Sequence, residues 1–205
     1  MSDHIEVTGT GSASATPDVV VITIRVQHDA ANVAVVLSAV AARTAAVLAA
    51  AQDHGIAAAD RQTVTIGIHQ RYDHQGQKVV GHTGFQTIRL VCRAVDHVGK
   101  VLTAIAEAGG NEVAIEGLGL ELADPGPLRV LARERAFADA RATAEQLAVL
   151  AGRALAAVTF VTEGEAEGSG PQSRMFAMRA EAAGMPIEAG ESAVSVMLRV
   201  RWALR

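Results

Sequence analysis

His69, His74 and His82, with Asp73 beside them, are the residues whose types and spacing come nearest to chemistry in this 205-residue chain. Imidazole nitrogens suit zinc or copper, and two paired strands would bring His69 and His82 near each other across a ladder. The spacing matches no standard zinc pattern, however, and hairpin tips gather His and Asp as polar surface. The metal reading is therefore the lesser one, and no cofactor is expected.

Cys92 is the one cysteine and can form no disulfide within the chain. In the alternating run Arg89-Leu90-Val91-Cys92-Arg93-Ala94 it reads as a small buried residue of a strand. The sharper alternative is a redox-active thiolate, its pKa lowered by Arg89 and Arg93. Other chemistries find less support. A nucleophile needs an adjacent base held by a third group, and none of Ser12, Ser14, Ser38, Ser169, Ser173, Ser192 and Ser195 sits in a nucleophile-elbow sequence. Glu163, Glu165 and Glu167 read as a solvated acidic loop. Gly109-Gly110-Asn111 follows a helix and Gly117-Leu118-Gly119 lies within a strand, whereas a phosphate loop needs strand, glycine turn and helix start in that order. The expectation is a protein that is not an enzyme.

Composition narrows the partners. Half of the residues are hydrophobic, mostly Ala and Val, while aromatics make up only 3%, so the core must rely on small side chains packed closely. A net charge of −4 offers no basic footprint for nucleic acid. The apolar run Val19 to Val26 is too short to span a bilayer. Met1-Ser2-Asp3-His4-Ile5-Glu6 shows neither a basic leader nor an apolar run, which favours a cytoplasmic chain over one whose leader has been removed.

Periodicity supplies the elements. Val7 to Ala15 and Val19 to Val26 read as strands meeting at the Pro17-Asp18 corner. Val33, Val36, Leu37, Val40, Thr44, Val47, Leu48 and Ala51 form one stripe of a helix over Ala31 to Ala51, stopped by Gly55. Val64 to Tyr72 is a strand, Asp73 to Gln77 a turn, and Lys78 to Ala94 the returning strand. Asp96 is placed to cap a second helix through Val98, Val101, Leu102 and Ile105, ending at Gly109-Gly110. A strand through Val113 to Leu122 follows. Asp124-Pro125 then opens a long helix to Ala151, with Phe137, Ala140, Ala144, Leu147 and Ala151 on its core face. Ala157 to Thr162 and Glu191 to Leu204 complete the order ββαββαβαββ. This is an α+β fold, a mixed or antiparallel sheet with helices on one face, as a single domain over 1–205 with a flexible insertion at about 163–190.

The opening Val7-Thr8-Gly9-Thr10-Gly11-Ser12-Ala13-Ser14-Ala15-Thr16-Pro17-Asp18 resembles the signature of the SIMPL family, the YggE-like oxidative-stress-defence proteins. The likeness continues through Gly55-Ile56, Gln62-Thr63, Tyr72-Asp73 and Gly76. It resumes at Asp124-Pro125, Leu128, Ala132-Arg133, Ala136, Ala140, Ala144, Leu147-Ala148 and Ala151-Gly152, and at Pro186-Ile187-Glu188-Ala189-Gly190-Glu191. The resemblance implies a SIMPL-like α+β fold, association with oxidative-stress defence and no agreed catalytic residue. Many of its members are exported. A homo-oligomer is expected, with Met175, Phe176 and Met178 as interface candidates on an arm whose flexible thioethers suit contact surfaces.

Overall fold

The computed structural model describes residues 3–164, 179–182, 185–188 and 190–205. The elements are β1 (His4–Ala15), β2 (Val19–Ala30), α1 (Val33–Asp53), β3 (Arg61–Tyr72), β4 (Val79–Cys92), α2 (Val98–Gly109), β5 (Val113–Glu121), α3 (Gly126–Leu150), β6 (Leu155–Gly164), β7 (Arg179–Ala182), β8 (Met185–Glu188) and β9 (Ser192–Leu204). The α+β class holds, and every strand pairing among the described residues is antiparallel. The hairpin β7–β8 lies in a stretch whose composition predicts no structure.

The strands divide among separate sheets, ordered β1-β9-β6, β3-β4-β2-β5 and β7-β8. This corrects the expectation that α1 and α3 share one sheet face. β1 pairs with β9 while β2, just beyond the Pro17 corner, pairs with β4 and β5. The described residues gather into two compact units.

One unit is built from β1, β9, β6 and α3. Alternation along β1 turns Val7, Gly9, Gly11 and Ala13 to one face, where they meet α3. The helix answers with Ala132, Ala136, Ala140, Ala144 and Ala148, spaced by four and all fully or almost fully buried. A methyl group built on Gly9 would collide with the Ala136 carbonyl and stand 2.6 Å from the Ala140 Cβ; one on Gly11 would meet the Ala132 carbonyl. The backbones therefore approach to a distance that only glycine on the strand and alanine on the helix permit. Val196, Leu198, Val200 and Trp202 of β9 complete the core, with the Trp202 and Phe137 rings 6.0 Å apart. The predicted core face of α3 is thus corrected: Leu147 is 43% exposed and Ala151 lies past the helix end. Large apolar size suggested Leu147, but the glycines of β1 select the alanine row.

α3 also satisfies the outer edge of β1. The Thr10 amide donates to Asp139 Oδ2 at 2.8 Å, and the Ser12 carbonyl accepts from Arg135. Unpaired backbone groups on an edge strand invite foreign strands, and here helix side chains take two of them.

The other unit holds β2, α1, β3, β4, α2, β5 and the β7–β8 hairpin. Ile22, Ile24 and Val26 of β2, with Ile88, Leu90 and Cys92 of β4, form the sheet side of its core. The helices contribute Val40, Val47 and Ala51 from α1, and Val98, Val101, Leu102 and Ile105 from α2. α1 buries Val36, Val40, Thr44, Val47 and Ala51, close to the predicted stripe, while Leu37 stays exposed. With 21 residues and an 18-residue stretch of mean hydropathy 2.1, α1 is long and apolar enough to cross a membrane, yet here its stripe belongs to the core. Asp96 does not cap α2: a 3-10 turn over Val95–His97 leads in, with no side-chain cap. Asp124 does accept the Gly126 amide of α3, at 2.8 Å.

Candidate functional site

The β3–β4 register decides the histidine question. His69 lies opposite Thr83 and Gln70 opposite His82, so His69 and His82 occupy neighbouring rungs and point to opposite faces of the sheet. The expected cross-strand pair is not formed. His69 stacks on Phe85, with ring centroids 5.3 Å apart, and His82 Nδ1 lies 3.2 Å from the Ala31 carbonyl. Asp73 spends its carboxylate on the turn, accepting the Gln77 and Gln75 amides at 2.9 and 3.2 Å. Those backbone donors, Gln77 foremost, hold its pKa below the usual carboxylate value. Among the described residues no three His, Cys, Asp or Glu side chains converge as metal ligands.

Cys92 is 2% exposed in the core between sheet and helices. Its thiol donates to the Ala94 carbonyl at 3.2 Å, and burial pushes its pKa up, opposite to what a reactive thiolate needs. The arginines expected to activate it are engaged elsewhere. Arg93 forks onto Asp60 at 3.0 and 2.7 Å, and Arg89 pairs with Glu121 at 2.7 Å. The redox alternative is corrected on this ground.

A polar cluster the sequence does not signal joins β2, α1 and the turn after α2. Glu112 accepts from Arg43 Nε at 2.7 Å and contacts His28 Nδ1, while Arg43 also donates to the Ala108 carbonyl at 3.0 Å. Arg43 first, and His28 second, hold the Glu112 pKa below its ordinary value. The three residues stand far apart along the chain, and no local pattern links them. They pin α1 to the end of α2.

An open cleft of about 490 Å³ lies along α2, lined by His54, Asp96, Gly99, Lys100, Thr103, Ala104 and Glu107. Its charges are of both signs. The Thr103 hydroxyl donates to the Gly99 carbonyl at 3.0 Å, a local helix bond that leaves it no base to activate it. On the sheet face bearing His69, Arg25 lies 3.6 Å over the Phe85 ring and 3.6 Å from Glu116. The Phe85 ring fills the space a side chain at Gly67 would need, with a Cβ there only 2.6 Å from the ring. Arg25 and His69 cover the rest of that ring, which makes this a packed platform.

The most unusual surface is apolar. Along the outer row of α1, Val35, Ser38, Ala42, Ala45 and Ala49 are all exposed, and none is charged. α3 by contrast sets Arg133 against Glu163 and Arg141 against Glu145 on its exposed sides. Edge strand β3 exposes Val64 (56%) and Ile66 (60%). The interface candidates Met175, Phe176 and Met178 lie outside the described residues, as do Ser169, Ser173, Glu165 and Glu167.

Comparison with known proteins gives a family and no reaction. YggE of Escherichia coli K12, an uncharacterized protein, is 28% identical over 147 residues, covering 71% of this chain and 59% of YggE. The chain thus spans about three fifths of the YggE relatives it matches. The 26 kDa periplasmic immunogenic protein of Brucella melitensis is 29% identical over 214 residues, covering 96% of this chain and 83% of its own length. Among solved structures, an amidase of the hydantoinase/carbamoylase family from Burkholderia phymatum overlaps at a TM-score of 0.32 and 17% identity, over 55% of this chain and 31% of the amidase, too slight to bear on function. The model of SIMPL, a family of proteins of unknown function (DUF541), matches residues 5–202 and so runs through both units. By that match the chain belongs to the SIMPL family.

Proposed function

We propose that this protein works by assembly with copies of itself, or by binding a protein partner, and not by catalysis. The uncharged outer row of α1 carries the reading. A helix that is apolar all round is ordinarily buried on every side, and Val35, Ser38, Ala42, Ala45 and Ala49 leave one side open to water. Covering that row removes apolar surface from water and strands no charge, because the Arg43 guanidinium is already held by Glu112 and the Ala108 carbonyl. The arm with Met175, Phe176 and Met178 belongs to the same proposal as a second contact. Association with oxidative-stress defence, which the resemblance implies, is the setting proposed for the assembly. Cytoplasmic placement is part of the reading too, and a periplasmic pool on cell fractionation would overturn that part.

Absolute mass by light scattering tests the assembly. The wild-type protein should exceed monomer mass at micromolar concentration, and Ala42→Glu should lower that mass with an unchanged far-UV spectrum, since Glu is a good helix former at an exposed position. A monomeric wild-type chain that also captures no partner protein from its own cells would overturn the proposal.

A further inference from the structure

Strand β3 is an edge of the four-stranded sheet, and unlike β1 it has no helix side chains bonded to its outer backbone groups among the described interactions. Its middle is also its most exposed apolar stretch: Val64, Ile66 and Ile68 are 56%, 60% and 36% exposed. A long apolar edge is a template for another strand. Which strand it suits can be read from its order of residues.

The segment Arg61-Gln62-Thr63-Val64-Thr65-Ile66-Gly67-Ile68-His69-Gln70-Arg71 is nearly symmetric in residue type about Ile66. Laid antiparallel against itself, it sets Ile66 opposite Ile66, Val64 opposite Ile68, and Thr65 opposite Gly67. Ile66 and Ile68 then fall on one face of both strands, as a half-buried ladder requires. Val64 is itself the extra residue of the bulge between Thr63 and Thr65, so the regular ladder of β3 runs from Thr65 to Arg71 with Ile66 and Ile68 inside it. The arginines at its two ends are both held by groups of their own unit. Arg71 is paired with Asp29 at 3.0 Å, and Arg61 donates to the Leu48 carbonyl and Gln52. A strand carrying charges would find no counter-charge between Gln62 and Ile68.

We infer that β3 pairs antiparallel with β3 of a second copy across a two-fold axis at Ile66, joining two four-stranded sheets into one of eight strands. This rests on the assembly reading and names one of its surfaces. A two-fold contact of this kind closes on itself, so it leaves neither β3 edge open.

Two variants test it in the full chain. Ile66→Lys places a charge on the axis at an exposed position and should halve the mass seen by light scattering, with far-UV circular dichroism unchanged. Ile66→Cys should form an intermolecular disulfide quickly under mild oxidation, because Cα atoms opposed in an antiparallel pair lie within disulfide reach. The wild-type chain, whose Cys92 is buried, and Ser195→Cys, exposed on the central strand β9, should cross-link far more slowly. If Ile66→Lys fails to fold, the cysteine arm still decides. A wild-type oligomer that keeps its mass in Ile66→Lys and does not cross-link in Ile66→Cys overturns the β3 contact and leaves the assembly reading standing. A monomeric wild-type chain overturns both.

Discussion

Gly9 of β1 lies so close to Ala136 of α3 that a single methyl group added to the glycine would overlap the alanine's carbonyl oxygen. In this chain the glycines of the opening segment therefore serve packing. Gly9 and Gly11, two residues apart, present bare backbone to one face of the strand. Ala132, Ala136 and Ala140 of α3, four apart, present the smallest side chains to the facing strand. Two different periodicities meet in one contact.

Gly9→Ala should consequently be among the most damaging small substitutions in the chain. The neighbours are helix backbone atoms, which cannot turn aside, so α3 must shift, at a cost of about 3 kcal/mol, the upper end for overpacking. Gly117→Ala is the matched control, since nothing lies within 4 Å of its added Cβ. Urea midpoints for both variants give the comparison. A Gly9→Ala midpoint no lower than that of Gly117→Ala would refute the packing account.

α3 offers a second contrast, between size and position. Leu147→Asp places a charge on a side chain that is 43% exposed, and should shift stability by less than about 1 kcal/mol. Ala144→Asp puts the same charge into the fully buried alanine row and should cost several times as much, as an unpaired buried charge does. Thermal melts of the two variants decide it, and equal loss would show that the helix is seated differently.

Acid should loosen the tie between α1 and the end of α2. The Glu112 pKa is held below its ordinary value of 4.5, chiefly by the Arg43 hydrogen bond and then by His28. A carboxylate whose folded pKa is depressed adds stability that is fully present above its unfolded pKa. That stability is lost as pH falls through the folded pKa. The contribution of Glu112 should thus be intact at neutral pH and disappear below the ordinary carboxylate range. Glu112→Gln should be less stable than wild type at pH 6 and should lose less on going to pH 3, measured by urea unfolding at each pH. Equal pH dependence in the two proteins would remove Glu112 from the account.

Local chemistry made the elements legible. Pro17-Asp18 marks the β1–β2 corner and Gly55 stands just past the end of α1. Asp124 holds the start of α3, and the three- and four-residue steps of α1 place its buried Val36, Val40, Thr44 and Val47. Each signal acts between neighbours a few residues apart, where backbone conformation and side-chain period are set. The helix start expected at Asp96 failed because a 3-10 turn intervened, and Leu147 was misplaced because hydrophobic size is a weaker guide than shape where backbones touch.

The site lay beyond that range. Composition and spacing could put His69 and His82 on adjacent strands, but a shift of one rung in the β3–β4 register decides between a shared face and opposite faces, and only the paired structure states it. Cys92 between two arginines is read equally well as reactive or buried until the packing shows it 2% exposed and both arginines bound to carboxylates. His28, Arg43 and Glu112 meet across 84 residues of chain because three elements converge. Local residue pattern sufficed to locate the three helices and the long strands, and the apolar face of α1, but not the face of α3 or the β7–β8 hairpin. Tertiary structure alone decided which side chains meet, because register and close approach are set by contacts between elements distant in the chain, to which no local residue pattern is sensitive.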